Sequence, residues 1–188
     1  MRYKHIISAI ALNISEDDIK AEIIPDNKDY IIPFFLNTIS LAYLLFQMVT
    51  AYRNIENWVH KSLTIVYSFL YASSFLFIVA ITSALFLWGV KGFGKRVYLG
   101  IVASLPIFII SLISIIMKIS LNIESIGSIR VLGHFPEHPL IIGAYLLIFS
   151  HTRLVSIFRK TRAVLYLFLL SVLSYLFLGP VMFKLFNL

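Results

Sequence analysis

A chain of 188 residues in which 60% of side chains are hydrophobic and only 13% charged is too apolar for an ordinary soluble domain, where the apolar share sits near half. The formal charge of +7 raises nucleic acid as a partner, but the Lys and Arg residues gather at the ends of apolar segments instead of covering one exposed face, so nucleic acid is set aside. The absence of cysteine removes disulfides, thiolate metal sites and cysteine nucleophiles.

The first thirty residues read as an N-terminal cytoplasmic or interfacial segment, ahead of a five-helix transmembrane domain over 31–188. Arg2 and Lys4 precede a short apolar run, Ile6–Ile14, but the acids Glu16, Asp17 and Asp18 follow at once, so the run is expected to be retained and not cleaved as a signal. Ile6, Ile7, Ile10 and Ile14 fall at near-helical spacing and suit the headgroup plane. Ser15 can cap a short helix reaching Ile24, which Pro25 ends.

Five apolar segments follow: Ile31–Ala51, Leu63–Val90, Val97–Met117, Leu140–Phe158 and Ala163–Phe186. A helix rising about 1.5 Å per residue needs roughly 20 apolar residues to cross a hydrocarbon core about 30 Å thick. The spacing therefore predicts an all-α, polytopic membrane protein built as a bundle of five transmembrane helices. The first helix carries Asn37, Thr38, Ser40 and Gln47, which are costly against lipid and are expected to face other helices, with Pro33 tolerated in the first turn. The second is long enough to tilt or protrude, and Ala72, Ser73, Ser74, Ala80, Thr82, Ser83 and Ala84 give it a small-residue side suited to close packing. Pro106 should kink the third, and Gly179-Pro180 should bend the fifth near its end. The fourth has a clean apolar run of only about 12 residues, Pro139–Ser150, and spans by extending through His151, Thr152 and Arg153 to Phe158.

Loop charges set the orientation. Arg2, Lys4, Lys20, Lys28, Lys91, Lys95, Arg96, Arg159, Lys160 and Arg162 fall on one side; Arg53, Lys61, Lys118, Arg130 and Lys184 fall on the other. The richer side is cytoplasmic by the positive-inside rule, which places the N-terminus inside and the C-terminus outside. Trp58 and Trp88 then stand at opposite interfaces. The short, cysteine-free chain leans toward a prokaryotic plasma membrane.

Little here points to catalysis. His134-Phe135-Pro136-Glu137-His138 matches H-x-x-E-H, the spacing of an inverted zinc-protease motif, but Pro136 breaks the helix that such ligands require. It reads as an outer loop, with no metal and no cofactor expected. Gly89, Gly92 and Gly94 with Lys91, Lys95 and Arg96 read as a tight turn touching lipid phosphates, because a nucleotide cradle follows a strand. No Asp occurs after Asp29, so no Ser-His-Asp set forms. His151 and Arg153 are the notable ionisable pair inside the apolar segments: function or helix orientation are both open for them.

Three patches resemble the Yip family of Ypt- and Rab-interacting membrane proteins and its prokaryotic relatives. They are Trp88-Gly89-Val90-Lys91-Gly92-Phe93-Gly94-Lys95-Arg96, then Val102-Ala103-Ser104-Leu105-Pro106, then Ser150-His151-Thr152-Arg153 through Arg159-Lys160-Thr161-Arg162-Ala163. The resemblance runs from about Asp29 to the end and implies a small integral membrane protein of membrane organisation or protein assembly, with no catalytic residues. Binding to Rab-type GTPases is not implied, since the tail motif of eukaryotic members is absent. The expectation is thus a non-enzymatic protein whose basic cytoplasmic patch, Lys91, Lys95, Arg96, Arg159, Lys160 and Arg162, binds anionic membrane lipid or an acidic protein partner, with a homo-oligomer as a further alternative for the chain. The rival is a small transporter or channel subunit with Asn37, Gln47 and His151 lining a path; an intramembrane metallohydrolase using His134 and His138 comes last.

Overall fold

The computed structural model describes residues 27–53, 57–120, 138–157 and 160–186. Among the described residues six helices follow in order: α1 Asn27–Arg53, α2 Trp58–Phe86, α3 Phe93–Ala103, α4 Pro106–Ser120, α5 His138–Ser156 and α6 Lys160–Phe186. With α3 and α4 counted as one interrupted span, five helical segments are long and apolar enough to cross a bilayer. The chain is an all-helical, multi-pass integral membrane protein.

Several boundaries differ from the sequence expectation, for local reasons. The first helix starts at Asn27, ahead of Ile31, so Pro33 lies inside it and not in its first turn. The second starts at Trp58 because Asn57 caps it, its side chain accepting from the Val59 amide at 2.9 Å. It ends at Phe86, where the Leu87 amide bonds the Ser83 carbonyl at 3.0 Å and the chain turns. Gly92 then takes φ +86°, a backbone setting that side-chain-bearing residues rarely adopt, and α3 begins at once. Lys95 and Arg96, expected in a loop, are therefore already helical. The fourth expected helix, α5, runs over 19 residues, matching the extended reading through His151 and Arg153. The last helix continues through Gly179-Pro180 to Phe186. The N-terminal segment through residue 26 lies outside the described residues, as does the H-x-x-E-H motif apart from His138, which opens α5.

Whereas α3 is buried all round from Tyr98 to Ala103, the fourth and fifth spans, α5 and α6, each bury one stripe. On α5 it is Leu140, Gly143, Leu147, Ser150, His151, Leu154 and Val155; on α6 it is Ala163, Tyr166, Leu170 and Ser174. These steps of three and four residues are one helical face, and the opposite faces expose Ile142, Tyr145, Phe149, Val164, Phe168 and Tyr175 as hydrocarbon would favour. The core joins Leu44, Leu45 and Met48 of α1 to Ala72 and Val79 of α2, Leu147 and Leu154 of α5, and Tyr166 and Leu170 of α6. On α2, Ala72, Ala80, Ser83 and Ala84 are buried as the small-residue side predicts, while Ser74 is exposed. This lets α3 come very close: a Cβ on Gly100 would meet Ser83 Cβ at 3.0 Å and the Ala80 carbonyl oxygen at 3.1 Å.

The start of α1, the α2–α3 turn and the start of α6 share one end of the bundle. Tyr30 of α1 stacks edge-on with Tyr98 of α3 at 5.7 Å, and Arg162 of α6 lines a groove with Trp88. Along α2, 29 residues cover roughly 43 Å, the depth of a bilayer with its headgroup regions. Trp58 at its start and Trp88 just past its end are 74% and 73% exposed, an interfacial tryptophan at either side.

Candidate functional site

The third span is interrupted at Ser104 and Leu105, just ahead of the proline where the sequence expects a kink. Pro106 has no amide hydrogen and disfavours helical backbone at Leu105, so α3 stops at Ala103 and α4 starts at Pro106, near the middle of the span Phe93–Ile116. Every backbone polar group freed there needs a partner, because hydrocarbon supplies none. Shortened turns take up part of the demand: the Ser104 amide bonds the Ile101 carbonyl and the Leu105 amide the Val102 carbonyl, both at 3.1 Å. Beyond the break, the Ile107 amide bonds the Ser104 carbonyl at 3.1 Å and the Phe108 amide the Leu105 carbonyl at 2.9 Å. Neighbouring helices add a second donor to the Ile101 carbonyl and one to the Ala103 carbonyl. Asn37 Nδ2 of α1 donates to the Ile101 carbonyl at 2.8 Å, and the Ser150 hydroxyl of α5 donates to the Ala103 carbonyl.

His151, next to Ser150, is wholly buried and forms the hub of a side-chain network. Its Nδ1 lies 2.7 Å from the Ser83 hydroxyl of α2, and its Nε2 lies 2.9 Å from the Ser104 hydroxyl at the break. Tyr166 of α6 places its hydroxyl 2.7 Å from Ser83 Oγ and 3.2 Å from His151 Nδ1. Ser83 also donates to the Val79 carbonyl at 2.8 Å, which uses its one proton. Tyr166 O–H and His151 Nδ1–H then both donate to Ser83 Oγ, and Ser104 donates to Nε2. This assignment, inferred from the network, keeps the shortest contacts and gives up the 3.3 Å bond from Ser104 to the Gly100 carbonyl. The imidazole it uses is neutral, with one nitrogen donating and the other accepting. Three helices, α2, α5 and α6, and the break between α3 and α4 thus meet on a single side chain.

Sequence reading picks out His151 and Asn37 as intramembrane polar candidates, and both lie in this region. Gln47 is half-buried beside Tyr43 on α1, away from these bonds, and Arg153 is on the exposed side of α5. Ser83, Ser104, Ser150 and Tyr166 were missed as partners. The available signal was Ser104 two residues before Pro106, a hydroxyl placed where a broken helix needs one.

The basic residues assemble elsewhere, at the end that holds the α2–α3 turn. Lys91 and Lys160 are exposed; Lys95, Arg96 and Arg162 are half-buried; Arg159 lies outside the described residues. Arg96 turns back over the turn, its guanidinium 5.7 Å from the Trp88 ring centre and 5.8 Å from that of Phe93, and Nη1 donates to the Ala84 carbonyl at 3.4 Å. Leu85, Phe86, Trp88, Arg162 and Leu165 line an open groove of about 260 Å³ between the end of α2 and the start of α6. Asp29 is the single acid among the described residues, so it neutralises at most one of these cations. Comparison with protein-family models, with curated proteins and with solved structures finds no match.

Proposed function

We propose that the protein is a non-enzymatic, Yip-like membrane-organising or assembly factor, with the basic end as its working face on the cytoplasmic side of a prokaryotic plasma membrane. The observation that carries this reading is the gathering of Trp88, Arg96 and Arg162, with exposed Lys91 and Lys160, where the described residues include a single acid to oppose them. Such a surface attracts anionic headgroups or an acidic protein, each Lys or Arg near an anionic membrane contributing about 1 kcal/mol. The resemblance of residues 88–96 and 150–163 to the Yip family supports the same role. Purification from native membranes in mild detergent, with mass spectrometry of what accompanies the chain, tests it. The expected result is an acidic partner or anionic lipid near stoichiometry, lost when Lys91, Lys160 and Arg162 are all changed to Gln. Identical co-purification with that variant overturns the reading.

A second reading, a small transporter or channel subunit, is favoured by the broken span, a device that lines ion and substrate sites in transporters. Asn37 Oδ1 and Thr38 Oγ1 are buried beside it with no hydrogen-bond partner among the described residues. Flux through proteoliposomes that disappears in His151→Ala would establish it; leak-tight proteoliposomes would sink it.

A further inference from the structure

The groove at the basic end has the chemistry of a lipid seat. Its walls, Leu85 and Phe86 of α2 and Leu165 of α6, belong to membrane-spanning stretches, and Leu85 and Leu165 are exposed. It therefore opens toward hydrocarbon, where a soluble acidic protein has no access. Its volume of about 260 Å³ falls below the roughly 300–1,000 Å³ of pockets that enclose a drug-sized ligand, so an occupant lies along it.

The polar groups are at the rim. Arg162 is near the start of α6, and no described residue is hydrogen-bonded or ion-paired to it. A guanidinium offers paired donors that match a phosphate, and a half-buried one interacts more strongly than a fully solvated one. Trp88, also lining the groove, is the residue type that settles at headgroup depth. Exposed Lys91 and Lys160 add positive charge at the same end. An apolar trough below and, at the interface, a cation with no partner among the described residues complement one kind of molecule.

We propose that this groove holds one anionic phospholipid, with an acyl chain along Leu85, Phe86 and Leu165 and the phosphate on Arg162, an inference that rests on the basic-end reading above and names its ligand. Trp88 provides the probe. In a Trp58→Phe background it is the sole tryptophan, so quenching of its fluorescence by brominated lipid reports what lies against the groove. The full chain is reconstituted in phosphatidylcholine with increasing brominated phosphatidylglycerol, then in the reverse labelling. The expected result is a preference for the anionic lipid of about five-fold or more, abolished by Arg162→Gln, partly kept by Arg162→Lys, and largely kept by Lys160→Gln. Equal, small losses in Arg162→Gln and Lys160→Gln would overturn the groove site and leave the basic end as a diffuse lipid attractor. No preference in the unmodified protein would overturn the site as well, with partner co-purification then deciding whether the basic end binds protein instead. Arg162→Lys retains the charge without the paired donors, so a preference as large in it as in the unmodified protein would overturn recognition of the phosphate by the guanidinium.

Discussion

The buried cluster around His151 and the basic end around Trp88 treat polar groups in opposite ways. At the cluster, the polar atoms of Ser83, Ser104, His151 and Tyr166 find one another within 3.2 Å, and the Ile101 and Ala103 carbonyls at the break accept from neighbouring helices. At the basic end, cations outnumber acids and Arg162 has no described partner. A satisfied buried network has little left to offer a ligand; it fixes which faces of α2, α3, α5 and α6 meet. Cations such as Lys91, Lys160 and Arg162, accessible and with no partner among the described residues, contribute little to folding and stay available for anions from outside. The regions are adjacent, since Phe86, a groove wall, packs on Tyr166 with ring centres 4.9 Å apart.

Four substitutions would break or sharpen this contrast, and reversible unfolding in mixed micelles measures each. His151→Leu should be the most damaging, at roughly 1.5–2 kcal/mol, since it removes the hub joining three helices and the break in the third span; hydrogen bonds inside membrane proteins average only about 0.6 kcal/mol each, and Ser83 and Ser104 keep helix carbonyls to fall back on. A loss below about 0.5 kcal/mol would mean that the cluster is kept for something other than stability. Gly100→Ala should cost about 1–2 kcal/mol by pushing a methyl group onto Ser83 and the α2 backbone. For Tyr166→Phe the expectation is about 0.6–1 kcal/mol, because the ring still packs on Phe86 while one hydrogen bond is lost. The combined change of Lys91, Lys160 and Arg162 to Gln should move stability by less than about 0.5 kcal/mol while removing anionic lipid or partner. Marked destabilisation by this last variant would erase the distinction between the two regions.

His151 and Asn37 were legible as buried polar residues because an ionisable or amide side chain inside an apolar run has few tolerable positions. Their partners were not legible. Ser83 and Tyr166 lie far from His151 in sequence, and serine recurs throughout α2. Pro106 announced a distortion, but whether a helix kinks or breaks depends on who takes the freed carbonyls, and Asn37 and Ser150 come from other helices. The loop readings at residues 91–96 and 159–162 were too generous for the same reason: a positive-φ glycine and close packing let α3 and α6 start at Phe93 and Lys160.

By itself, the sequence determined the solvent, the class and the number of spans, because hydropathy over about 20 residues decides partition into a bilayer without reference to neighbours. It also determined that cations gather at helix ends, a matter of local composition. Only the tertiary structure decided that the third span divides at Ser104 and Leu105, that His151 joins three helices to that break, and that Arg162 meets Trp88 across a groove. Each of these depends on the rotation and register of helices distant in sequence, which side-chain packing and hydrogen bonding in three dimensions select and no local pattern encodes.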